Sequence, residues 1–81
     1  MGGVDVPQDL ISLERAAEEQ RARLAGLDGE EFEAQQRAWQ EAARAAQAAI
    51  ADHAKVSGRP AEVIETAVKR AVRQAEEDPA E

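Results

Sequence analysis

From Glu30 to Ser57 the chain runs without a glycine or a proline. Within it, eight of the thirteen residues from Ala42 to Ala54 are alanine, the strongest helix former. The start signals lie just before. Asp28 is an N-cap candidate with Glu31 three residues on, the spacing of a capping box, and Leu27 and Phe32 are placed for a hydrophobic staple. Gly58 is the first stop. A helix over 28–57 would be about 45 Å long. In a chain of 81 residues, an element of that length needs other helices laid against it.

Its apolar positions form a broad face. Phe32, Trp39, Ala46 and His53 repeat every seven residues, with Ala42, Ala49 and Val56 in a second row and Ala43 and Ile50 beside them. Most of this face is methyl groups, so a neighbouring helix can approach closely.

The segment before it has a heptad-like seam of Leu10, Leu13, Ala17, Leu24 and Leu27, with Gln20 in the remaining slot. Asp5 is placed to cap this helix, Pro7 suits its first turn, and Gly26 suits its C′ position. Glu19 and Arg23 form an i,i+4 pair in the favourable order. The link to the next helix is so short that the two must run antiparallel, as a helical hairpin.

After Ser57-Gly58-Arg59-Pro60, a third pattern places Val63, Ile64, Ala67, Val68, Ala71, Val72 and Ala75 at helical spacing. Asp78-Pro79 ends it. The expected architecture is therefore all-α: an antiparallel helical hairpin plus a third helix, with helices over 7–26, 28–57 and 60–77. Residues 1–6 read as a flexible leader and 78–81 as a disordered acidic tail. No segment alternates with the period of a strand.

Composition narrows the function. Only 13 residues are Val, Leu or Ile, the aromatics are Phe32 and Trp39, and there is no cysteine. So small a core, without disulfides, points to self-association or to docking on a partner. The net charge of −7 argues against non-specific binding to nucleic acid. No stretch approaches the ~20 apolar residues of a membrane span. The first residues lack the basic and apolar regions of a secretory signal, so a cytoplasmic location is expected.

Catalytic groups are scarce. Asp52, His53 and Ser57 lie close together near one helix end, but neighbours on a single helix rarely supply a nucleophile, its base and an oxyanion site. A helix-end serine and a partly buried histidine is the simpler reading. Glu30, Glu31 and Glu33 cluster at a helix N-terminus, where the positive dipole end explains them without a metal. The chain has no Glu-x-x-His of the kind used in carboxylate-bridged bundles. No enzyme activity, cofactor or metal is expected.

Two sets of residues remain. Phe32, Trp39, Ile50, Ile64 and Val68 are candidate partner-binding anchors on the apolar face of helices two and three. Trp39 has a plainer reading too, as filler of the hairpin core. Lys55, Arg59, Lys69, Arg70 and Arg73 give residues 55–73 a local charge of +3, either as a phosphate-contacting surface or as a solvated face. The expected function is a non-catalytic protein–protein interaction module. Its partner would be a second copy of itself, as a dimer, or another protein. An acidic inhibitor of a cationic partner enzyme is a further reading.

The run from Ile50 to Val72 resembles the helix pair of ribbon-helix-helix DNA-binding proteins, common as bacterial antitoxins. The resemblance rests on the Ser57-Gly58-Arg59 turn, then Glu62-Val63-Ile64 and Ala67-Val68, and covers residues 43–75. It implies a shared helix-pair packing and a habit of dimerising. It carries no base-reading residue onto this chain; the alternative function is a small dimeric DNA-binding regulator or antitoxin related to that family, with the basic set Lys55, Arg59, Lys69, Arg70 and Arg73 as its nucleic-acid surface. In that family a strand precedes the helix pair. Here the corresponding segment, around 35–41, is helical in pattern and carries Trp39.

Overall fold

The structure, a computed structural model, describes the backbone of residues 6–77 and the side chains of residues 6–74. The chain folds as three α-helices: α1 (Gln8–Ala22), α2 (Gly29–Ser57) and α3 (Ala61–Glu77). Among the described residues there is no strand. This is the all-α hairpin plus third helix that the sequence leads one to expect. The leader residues 1–5, with the cap expected at Asp5, and the tail 78–81 lie outside the described residues. Val6, also assigned to the leader, is half-buried against the core.

Pro7 is the N-cap of α1; its extended backbone aims its carbonyl at the amides of Leu10 and Ile11, 3.1 and 3.4 Å away. The helix was expected to run to Gly26 but ends at Ala22. From there the amides of Leu24, Ala25 and Leu27 bond to the carbonyls three residues back, those of Arg21, Ala22 and Leu24. A last turn often tightens in this way, because its carbonyls have lost their partners four residues on. Gly26, at φ 85, then completes the reversal.

Asp28 caps α2 with extended backbone, as expected, and its carbonyl accepts from the Phe32 amide at 3.3 Å. Its carboxylate makes no capping hydrogen bond, so the box with Glu31 does not close. The physical difference lies at Gly29, which enters the helix at φ 62 rather than at the helical value a capping box assumes. At the other end Gly58 takes the left-handed C′ conformation, φ 75, and its amide bonds to the Ala54 carbonyl at 2.9 Å.

The core joins all three helices. Leu10 of α1, Ile50 and Ala54 of α2, and Ile64 and Val68 of α3 form one buried cluster, with Val6 and Ala49 packed against it. The third helix therefore folds back on its own hairpin. It packs on the C-terminal half of α2 and also on the start of α1. Ile64, Val68 and Val72, spaced four apart, are almost wholly excluded from solvent. This end of the molecule, holding Gln8 and Ser57, is called the base; the end holding the turn at 23–28 is called the tip.

Burial is unequal between the two ends. The buried residues are Leu10, Glu14 and Ala17 in α1, Ala46, Ile50 and Ala54 in α2, and Ile64, Val68 and Val72 in α3. No residue from Glu18 to Ala45 is buried. Leu24, Leu27, Phe32 and Trp39 all fall in that stretch, and all are half-buried. The tip is two helices thick, and a helix pair has no third surface with which to close over its seam.

Candidate functional site: the groove toward the hairpin tip

Where α3 stops covering the hairpin, α1 and α2 leave an open groove of about 540 Å³. Ala17, Ala22 and Ala25 line it on one side, and Trp39, Ala43 and Ile50 on the other. Its apolar lining is therefore mostly small side chains, with Ile50 and one large ring. Glu18 and Arg21 stand on the α1 side and Gln47 on the α2 side. Glu65 and Lys69 of α3 close the end toward the base, together with Glu14.

Two polar contacts set this geometry. Gln35 Nε2 donates both to the Gln20 backbone carbonyl and to Gln20 Oε1, each at 2.7 Å. Because α1 ends at Ala22, the Gln20 carbonyl is among those left without an intrahelical partner, and Gln35 supplies one. The seam glutamine is thus satisfied across the hairpin, which favours one register of α1 against α2. At the other end of the groove, Lys69 Nζ donates to Glu14 Oε2 at 2.9 Å and lies 3.9 Å from Glu65 Oε2. The hydrogen bond to Glu14 raises the Lys69 pKa above its ordinary value; partial burial opposes this, and the negative charge of Glu14, Glu65 and Glu18 adds to it.

The candidate anchors separate into two groups. Ile50, Ile64 and Val68 are in the chain's own core, at 5 %, 0 % and 0 % exposure, so in the single chain they do not face a partner. Phe32 and Trp39 are half-buried near the tip. Trp39 borders the groove, and the Arg21 guanidinium carbon lies 5.9 Å from its ring centroid, at the outer range of a cation–π contact. Trp39 thus packs in the hairpin and still presents surface to the groove.

The basic residues separate as well. Lys69 is engaged by Glu14, which ties α3 to α1. Lys55, Arg59, Arg70 and Arg73 are exposed. Residues 35–41, where a ribbon-helix-helix protein has its strand, lie inside α2. His53 is half-buried and Asp52 exposed, while Ser57 Oγ donates to the Ala54 carbonyl of its own helix at 3.3 Å. That is the ordinary back-bond of a hydroxyl at a helix end. Among the described residues no three of His, Asp and Glu are grouped to hold a metal ion, and no helix is long and apolar enough to cross a membrane.

Sequence reasoning misses Glu14, which is 7 % exposed and the one charged residue buried among the described residues. A signal for it exists: Glu14 follows Leu10 by four and precedes Ala17 by three, which puts it on the apolar face. No protein-family model, curated protein or solved structure matches this chain.

Proposed function

We propose that this chain is a small, non-catalytic interaction module that associates through the open groove and tip of its hairpin, in the first place with itself. The observation that carries this reading is the run from Glu18 to Ala45, in which no residue is buried although it holds Leu24, Leu27, Phe32 and Trp39. Burying such side chains fully stabilises by roughly 1.5–3 kcal/mol each, and these half-buried ones still have the remainder of that to gain. Phe32 and Trp39 are the anchors, and the alanines of both helices are the surface that receives them. Large aromatic side chains seated among small ones are the usual centre of an interface. The expected location remains the cytoplasm.

The test is light scattering of the eluting protein at micromolar concentrations. The wild type is expected at about twice its chain mass of 8.7 kDa. The variant carrying Phe32→Ala and Trp39→Ala is expected at the single-chain mass with its helix content kept. A wild-type protein that stays at the single-chain mass over the whole range overturns self-association.

A further inference from the structure

We propose that the second copy docks antiparallel in the groove, so that the acidic tip of each chain meets the basic edge of the other's third helix. This rests on the self-association reading above and adds to it an orientation and the charges that select it.

The face is suited to a copy of itself. A two-fold interface uses one patch twice, so the patch must carry both the projections and the hollows. Here Trp39 lines the same groove as Ala22, Ala25 and Ala43. The ring of one copy can therefore seat on the alanines of the other, and the reverse contact comes with it.

Charge then decides direction. Residues 24–36 carry Asp28, Glu30, Glu31 and Glu33 and no basic residue, and all four acids are exposed. Residues 66–73 carry Lys69, Arg70 and Arg73 and no acid, and all three are exposed. Arg73 follows Lys69 by four and Glu65 by eight, so it continues the edge of α3 that closes the groove. Within one chain the two fields are far apart. Glu33 lies roughly 20 Å along α2 from Gln47, which borders the same groove as Lys69. That is more than twice the screening length of about 8 Å at physiological salt, so their attraction within the chain is weak.

A copy laid antiparallel removes that separation. With the two tip halves overlapping, each tip runs down the partner's groove toward the end that α3 closes. Four carboxylates then face Arg70 and Arg73, twice over, while Lys69 stays held by Glu14 of its own chain. A parallel arrangement would instead set tip against tip and bring eight carboxylates together.

The experiment is a charge swap. One variant carries Glu30→Lys, Glu31→Lys and Glu33→Lys; the other carries Arg70→Glu and Arg73→Glu. In each homodimer both contacts become repulsive, and the dissociation constant is expected to rise at least tenfold over wild type. In an equimolar mixture both contacts are attractive again. Native mass spectrometry should therefore show the heterodimer as the dominant dimer. If the wild type dimerises and both variants dimerise as well as it does, or the mixture gives no excess of heterodimer, the orientation is overturned while self-association stands. A wild type that never dimerises overturns both.

If either variant loses its helix content, the wild type alone decides through salt. Raising salt from about 0.05 M to 0.5 M should weaken the dimer several-fold, because contacts between exposed charges are screened. A dimer that is unchanged or tighter in high salt contradicts the proposal.

Discussion

Lys69 Nζ reaches Glu14 Oε2 at 2.9 Å across 55 positions of sequence, the one hydrogen bond among the described residues that joins the third helix to the first. The Glu14 side chain is 9 % exposed and the Lys69 side chain 48 %, so the two partners are unequally dependent on each other. Lysine can turn to water, whereas the carboxylate cannot.

Removing the lysine should therefore hurt more than neutralising the acid. Lys69→Ala leaves a carboxylate in the core without its donor, and about 1–3 kcal/mol of unfolding free energy should be lost. Glu14→Gln keeps an acceptor and removes the charge, so it should cost less. Urea unfolding of both variants checks the order.

The pair also fixes an alkaline limit. The Lys69 pKa is raised in the folded state above its ordinary 10.5, chiefly by the hydrogen bond to Glu14. A raised folded value means the stabilisation is complete below 10.5 and is lost as pH climbs through the folded value. Thermal stability of the wild type should thus fall more steeply above that pH than that of Glu14→Gln. Parallel alkaline profiles would show that the contact contributes nothing.

Ile64 is at 0 % exposure in the cluster shared by all three helices. Ile64→Ala should cost about 2–5 kcal/mol, the range for an isoleucine truncated inside a packed core. In so small a domain this is a large share of the total, and the melting transition of the variant should broaden or vanish.

Gly58 makes a different kind of contribution. A methyl group added there would meet nothing within 4 Å, so no clash opposes the substitution. The cost lies in the backbone, since φ is 75 and an L-residue resists that region. Gly58→Ala should destabilise by roughly 1 kcal/mol, with no change in the helix content of the folded state.

Trp39 reports on its own surroundings. It is half-buried in the single chain and should become fully covered on association. Its fluorescence should shift to longer wavelength on dilution, with a midpoint that follows molar mass. The Arg21→Ala variant should show the same shift from a redder start, because the guanidinium no longer covers the ring.

Much of this fold is legible in the sequence, because much of it obeys near-neighbour rules. The ends of α2 and the start of α3 follow from Asp28, Gly58 and Pro60. The seam residues Leu10 and Ala17 face inward as their spacing requires. What depends on tertiary partners is harder to see. The end of α1 is one example, since a tightened last turn looks the same in sequence as a continuing helix up to Gly26. Glu14 is another: its spacing puts it on the apolar face, but it is one of 17 acidic residues, and no local rule points to its partner in α3. Ile50, Ile64 and Val68 stand at positions that would serve an external helix equally well. Periodicity specifies the face and leaves open which chain covers it.

The proposed function turns on whether the half-buried stretch from Glu18 to Ala45 is covered in solution. Molar mass across the micromolar range answers this most directly. A mass near twice 8.7 kDa that falls toward the single-chain value on dilution, and that Phe32→Ala with Trp39→Ala abolishes, is the expected result. A single-chain mass at every concentration would contradict it.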